Sequence, residues 1–140
     1  MSYIPLLVPI KILFSGVSGL QQTTNTGATE IGTTLFDPSA VYSGSAYVRT
    51  IKAIVELEVN TAGETATLVL YDITDGVTIH TFTSTSTTPF TATATLTVSA
   101  AGADTLANSS KLYGWRLSRS GATSSDPVTC KMAYFEVTYS

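Results

Sequence analysis

Apolar and polar residues alternate along most of the chain with a period of two. In residues 90–98 every second residue is apolar, and all the residues between them are threonine. Because successive side chains of a β-strand point to opposite faces, this pattern predicts a half-buried strand with a hydroxyl-covered outer surface. Threonine is β-branched and favours strands, which agrees with the periodicity.

The same alternation predicts about seven or eight strands and no helix. The clearest strands are residues 30–36, 46–60, 64–74, 77–82, 90–99, 111–119 and 128–139. Asp75 and Gly76 stand between two of them and predict a hairpin turn, because both turn positions tolerate positive φ. The longer connections at residues 83–88 and 100–110 favour Greek-key linking, so we expect an all-β antiparallel sandwich of the jelly-roll type. An immunoglobulin-type sandwich usually has paired cysteines that are absent here, although many such sandwiches lack them too.

The N-terminal part of the chain breaks the alternation, and we expect residues 1–28 to be an extended apolar arm and a Gly/Ser/Thr-rich linker in front of a sandwich at residues 29–140. The apolar run at residues 3–14 is too short to span a membrane, and no basic residue precedes it as in a signal peptide. Pro5 and Pro9 disfavour a helix and restrict a strand to an edge or to residues 10–14. The arm docks either on its own domain or on a neighbouring subunit. Its predicted contact residues are Tyr3, Ile4, Leu6, Leu7, Val8, Ile10, Ile12, Leu13 and Phe14.

Composition narrows the classes of function. The chain has 140 residues, of which 44% are hydrophobic and only 12% are charged, with a net charge of −3. This size fits one domain, and a surface so poor in charge suits permanent contact with other protein. The basic residues are dispersed, so no stripe for nucleic-acid phosphates is predicted. Cys130 is the single cysteine, which excludes an intrachain disulfide.

Candidate catalytic groups are few. His80 is the only histidine, which excludes a histidine-built metal centre, and we expect it to face solvent from a strand. Glu56 and Glu58 share one strand face and are interpreted as solvated residues and not as a glycosidase pair. The sequence contains no phosphate-binding glycine loop, no Cys/His cluster and no spaced calcium motif. We therefore expect a protein that is not an enzyme, with no catalytic residue, metal site or cofactor.

Four segments carry a resemblance to a known family. They are Val-Glu-Leu-Glu-Val at residues 55–59, Leu-Val-Leu-Tyr-Asp-Ile-Thr-Asp-Gly at 68–76, Tyr-Gly-Trp-Arg-Leu-Ser-Arg-Ser-Gly at 113–121 and Phe-Glu-Val-Thr-Tyr at 135–139. Together they resemble the jelly-roll accessory proteins of tailed-phage particles, which include capsid decoration proteins and the β-domains of fibres and baseplates. The resemblance covers residues 46–139 and defines no site residues.

The resemblance implies a structural role in a virion. It implies a homo-oligomer, with a trimer favoured, that binds other virion proteins, foremost the major capsid protein, through a terminal arm. The chain would be made in the host cytoplasm without a signal peptide and would lie on the particle exterior, with neither nucleic acid nor membrane as a partner. The competing hypothesis is a carbohydrate- or receptor-binding module in which Tyr113 and Trp115 stack on a sugar. These two rings could instead belong to the core.

Overall fold

The computed structural model describes residues 9–14, 21–41, 48–121 and 126–140, which form a sandwich of two β-sheets. The strands in chain order are β1 (Ile10–Leu13), β2 (Gln21–Thr23), β3 (Thr29–Phe36), β4 (Arg49–Val59), β5 (Thr65–Asp72), β6 (Val77–Ser84), β7 (Phe90–Ser99), β8 (Thr105–Ala107), β9 (Lys111–Ser120) and β10 (Val128–Tyr139). A single 3-10 turn at Pro38–Ala40 follows β3.

Each half of the chain pairs with the other half. The first sheet has the order β1-β10-β4-β7-β8, with β2 also paired to β10, and the second has the order β3-β9-β5-β6. All of these pairs are antiparallel except β7 with β8. The chain therefore runs back along itself from the β5–β6 turn: β4 pairs with β7, β3 with β9 and β1 with β10.

The seven strands that the alternation predicts are all present, with ends that differ by a few residues. The structure has three further strands, β1, β2 and β8, so its described residues form ten strands and not seven or eight. Of these, β1 falls within the stretch at residues 10–14 that was left open to a strand. The other two have three residues each, which is too short for a period of two to be recognised.

The hairpin between β5 and β6 is present, but its turn differs from the predicted one. Gly76 has a positive φ of 71°, whereas Asp75 does not have a positive φ. The loop spans four residues because Asp72, which is buried, organises it. The Asp72 carboxylate accepts a hydrogen bond from the Asp75 N–H, and its backbone carbonyl accepts one from the Gly76 N–H, both at 2.9 Å.

The core lies between the two sheets and is built around aromatic rings. Trp115, Tyr113 and Phe135 are completely buried, so the interpretation of Trp115 as a core residue is confirmed. The Phe14 ring centroid lies 5.3 Å from that of Trp115 and 5.0 Å from that of Phe135. Such tilted and edge-to-face contacts add to the free energy gained by burying the rings.

Part of the predicted N-terminal arm belongs to the sandwich. β1 pairs in register with β10, Ile10 opposite Val137 and Leu13 opposite Tyr134, and Phe14 is only 3% exposed. The boundary predicted at residue 28 therefore does not separate an arm from the domain, since residues 10–14 and β2 extend the first sheet. The reason is local: Ile10, Ile12 and Phe14 alternate and supply one apolar face. Tyr3, Ile4, Leu6, Leu7 and Val8 lie outside the described residues.

Candidate interaction surface

The outer face of the first sheet carries apolar side chains in a row across its strands. Leu13 of β1 lies opposite Tyr134 of β10, Tyr134 lies opposite Ile54 of β4, and Ile54 lies opposite Thr93 of β7. Directly opposed side chains of an antiparallel pair contact one another, so Leu13, Tyr134 and Ile54 form a continuous strip, which we call the apolar row. Leu13 is 68% exposed, and the other two are half-buried.

Charged side chains of alternating sign border the apolar row on one side. Lys11 lies opposite Glu136, and Glu136 lies opposite Lys52. The Lys11 Nζ also lies 5.1 Å from the centre of the Tyr134 ring, within the range of a cation–π contact. Opposite charges in facing positions favour the pairing of the strands.

Met132 and two carboxylates border the other side of the row. Met132 lies opposite Glu56, and Glu58 forms an ion pair with Lys131 at 3.4 Å between Oε2 and Nζ. Both glutamates are half-buried on the outer face, where the sequence places them. An apolar centre with a charged margin is the anatomy of a protein–protein interface.

The members of the apolar row are distant in the sequence, and only the register of β1, β10 and β4 brings them together. A weak signal for them does exist in the sequence. Ile54 and Tyr134 are large apolar residues at outward positions of strands whose other outward residues are mostly charged or polar. An exposed apolar residue at a polar position costs free energy in the isolated chain unless something covers it.

The four described members of the predicted arm divide between the core and the surface. Phe14 and Ile12 face the core of their own domain, and Phe14 is buried there. Ile10 is 43% exposed at the sheet edge, and Leu13 points outward in the apolar row. Of these four residues, Leu13 and Ile10 therefore present the apolar surface that a partner could cover.

Tyr113 and Trp115 offer no ring face to a sugar. Both are completely buried, and neither the Tyr113 hydroxyl nor the Trp115 Nε1 has a hydrogen-bond partner among the described residues. The Tyr113 hydroxyl approaches the backbone of Ala107 without reaching hydrogen-bond geometry. The stacking platform considered from the sequence is thus filled by the core itself.

Burial controls the ionisation of two core side chains. Desolvation, with the nearby Asp72 carboxylate as the second cause, raises the pKa of Tyr113 to about 12. Desolvation also raises the pKa of Cys130 to about 12, and its Sγ lies 3.4 Å from the Met132 carbonyl oxygen. A thiol held in this way is neutral at physiological pH and unreactive.

We expect Tyr113→Phe to leave the free energy of unfolding at pH 7 unchanged or to raise it by up to about 1 kcal/mol, because the hydroxyl is buried without a partner. The pKa of Tyr113 is about 12 in the folded state and 10.0 in the unfolded chain, so ionisation favours the unfolded chain. The free energy of unfolding of the wild type is therefore unaffected below pH 10 and falls as the pH rises to 12. The variant should therefore lose less stability than the wild type over that range. Urea unfolding at pH 7 and at pH 10.5 measures both effects, and a variant that is clearly less stable at pH 7 would contradict the first.

His80 lies on β6 with 30% of its side chain exposed, so it faces solvent in part as predicted, but it also makes contacts that the sequence does not predict. A register shift in the β5–β6 pairing places it opposite Leu70, a core residue. Its ring centroid lies 4.4 Å from that of Phe82, and its Nδ1 lies 2.5 Å from a carboxylate oxygen of Asp104. Asp104 also donates its N–H to the Ile79 carbonyl, so the pair attaches the β7–β8 connection to β6.

Two kinds of feature are absent from the described part of the chain. No three His, Cys, Asp or Glu side chains among residues 9–14, 21–41, 48–121 and 126–140 lie close enough together to hold a metal ion. Nor does any helix in these ranges have the length and apolar character needed to cross a membrane. Two surface cavities, of about 260 and 340 Å³, are lined mainly by hydroxyl and apolar side chains, with Arg49 bordering the larger one.

Comparison with known proteins gives no counterpart: no family model, no curated protein and no solved structure matches the chain. The function is therefore inferred from the residues of the chain itself.

Proposed function

We propose that the chain is a non-enzymatic structural protein of a bacteriophage particle, which it stabilises or decorates by attaching to another virion protein, foremost the major capsid protein. The observation that carries the proposal is the apolar row with its charged margins on the outer face of the first sheet. The sequence resemblance to phage accessory proteins and the low share of charged residues, 12%, also support it.

The apolar row is suited to permanent attachment. Fully burying an exposed aliphatic side chain contributes about 1.5–3 kcal/mol. Leu13, at 68% exposure, gains most of this on attachment, whereas Ile54 and Tyr134 are already half-buried and each contribute a part of it. Lys11, Lys52, Glu56 and Glu136 then fix the orientation of the partner, since opposite charges attract and like charges exclude wrong partners. Leu13 extends this surface to β1 at the edge of the sheet.

We further assign the sandwich to the jelly-roll class. The support is the strand order. In the first sheet β1 pairs with β10 and β4 pairs with β7, and in the second β3 pairs with β9 and β5 pairs with β6. The result is two four-stranded antiparallel arrays, β1-β10-β4-β7 and β3-β9-β5-β6. A jelly roll has eight strands in two sheets linked as Greek keys, and it occurs in viral capsid and lectin domains. A fold alone does not define a function, so the proposal depends on the surface and not on this class.

The composition of purified particles tests the proposal. Particles should be isolated on a density gradient from a lysate of the phage that encodes the sequence and then analysed by quantitative mass spectrometry. We expect the chain in a fixed ratio to a major virion protein, retained after a high-salt wash because apolar burial is not screened by salt. Antibodies against the chain should label intact particles. Absence of the chain from such particles, or its loss in the salt wash, would contradict the proposal.

A further inference from the structure

Among the described strands, only β8 pairs with the outer edge of β7, and it covers a small part of its length. The Thr97 N–H donates to the Asp104 carbonyl, and the Ser99 carbonyl accepts from the Asn108 N–H, so the odd-numbered residues of β7 direct their backbone groups away from β4. β8 covers only residues 97–99. Thr91, Thr93 and Thr95 therefore carry outward N–H and C=O groups that no described residue pairs with.

This edge lacks the protection that the other sheet edges have. β1 has Lys11 and follows Pro9, the β3–β9 pairing is bulged after Glu30, and the β5–β6 pairing is bulged after Leu70. In contrast, Phe90–Ser99 has no charge, no proline and a regular pairing with β4. A long, flat, uncharged edge strand rich in β-branched residues pairs readily with another strand.

We propose that β7 pairs antiparallel with β7 of a second copy of this chain, about a two-fold axis at Thr93. The free stretch is bounded by Pro89, which has no N–H, and by β8. In the proposed register Thr93 faces the partner's Thr93 and Thr91 faces the partner's Thr95, so all the outward groups of the three threonines form hydrogen bonds. A register shifted towards β8 would pair Thr97 with the partner strand, although its N–H is already bonded to the Asp104 carbonyl. A register shifted the other way would pair Pro89, which has no N–H to donate.

The side chains of β7 are self-complementary in this register. Threonine meets threonine on the outer face, and on the inner face Phe90 lies opposite the partner's Leu96, which is 4% exposed and belongs to the core of its own copy. Phe90 is 48% exposed and borders the cavity of about 260 Å³ next to Thr83 and Ser86, so the contact covers an apolar ring that the single chain leaves open. Because β7 has no charge, two copies approach without like-charge repulsion. This two-fold contact is independent of the proposed virion role and differs from the trimer that the resemblance implies.

Light scattering on the purified full-length chain tests the proposal, and we expect a dimer. Thr93→Pro should raise the dimer dissociation constant roughly tenfold to hundredfold, because it removes one N–H donor from each copy at the axis. The single chain does not use this N–H, and proline is tolerated at such an edge position, so the circular dichroism spectrum should be unchanged. A wild-type monomer or closed trimer would overturn the proposal, as would a folded Thr93→Pro variant that dimerises like the wild type.

A charge exchange at the same position tests the register and does not depend on the proline variant. Thr93→Lys and Thr93→Glu should each be monomeric, because each places like charges opposite one another, and an equimolar mixture should form a heterodimer. Thr81→Lys, on the exposed face of edge strand β6 and outside the Phe90 cavity, is the matched control and should remain a dimer. A mixture that stays monomeric, or single variants that dimerise as tightly as the control, would overturn the proposed register.

Discussion

Phe14→Ala is expected to lower the free energy of unfolding by roughly 3–5 kcal/mol. The Phe14 ring is 3% exposed and lies against Trp115 and Phe135, so its removal leaves a cavity among rigid rings that cannot collapse easily. Since small domains are stable by only about 5–15 kcal/mol, this is a large share of the total. Urea denaturation followed by the fluorescence of Trp115, the single tryptophan, measures the loss.

Leu13→Ala is the matched control, because Leu13 is the preceding residue and is 68% exposed. Its unfolding free energy should stay within about 0.5 kcal/mol of the wild type. Equal stability of both variants and the wild type would mean that residues 10–14 are not part of the fold. A truncation through residue 14 removes the core ring together with the arm, so attachment has to be tested by substitutions on the surface.

Ile54→Glu is expected to weaken attachment to the particle about a hundredfold or more while the domain stays folded. Ile54 lies on the outer face of β4, between Tyr134 and Thr93 in the cross-strand direction. In an attached chain the new carboxylate would be buried without a partner, which costs several kcal/mol, and the isoleucine contact would be lost. Competition between tagged variant and wild type for particles that lack the chain, followed by sedimentation, measures the loss.

Val69→Glu provides the matched control on the other sheet. Val69 is a half-buried β-branched residue on the outer face of a central strand, β5, opposite Arg116 and Thr81. The control variant should sediment with particles like the wild type. If Val69→Glu loses attachment and Ile54→Glu does not, the second sheet and not the first is the attachment surface.

The sequence is sufficient to predict the long strands and the core. One parity is apolar from Ile51 to Val59 in β4 and from Ala66 to Leu70 in β5, so the buried positions there follow directly from a period of two. In β10 the same holds from Ala133 to Val137, after a bulge between Cys130 and Met132 that changes the parity. Trp115 and Tyr113 have the same parity as Leu117, and all three are buried as that pattern predicts.

Local register and turn geometry could not be predicted in the same way. The irregularity between Leu70 and Tyr71 in the β5–β6 pairing places His80 opposite the core residue Leu70, while 30% of the His80 side chain stays exposed. The Asp72 side chain converts a two-residue Asp-Gly turn into a four-residue loop. The first effect arises from pairing between strands, and the second from a local bond between a side chain and the backbone. The alternation within one strand contains neither of them.

The candidate interaction surface was predicted only in part. Leu13 was among the predicted contact residues, whereas Ile54 and Tyr134 were not, since they join it only through the pairing of β10 with β1 and β4. The alternation within one strand shows which side chains point outward. It does not show which outward side chains of different strands become neighbours, and that information fixes the apolar row.

The central claim is that the outer face of the first sheet attaches the chain to a particle. Hydroxyl-radical footprinting of free and particle-bound protein tests it most directly, because Tyr134 and Met132 lie on that face and Tyr71 lies on the outer face of the second sheet. We predict that oxidation of Tyr134 and Met132 falls on attachment while oxidation of Tyr71 is unchanged. Protection of Tyr71 with unchanged oxidation of Tyr134 and Met132 would contradict the claim.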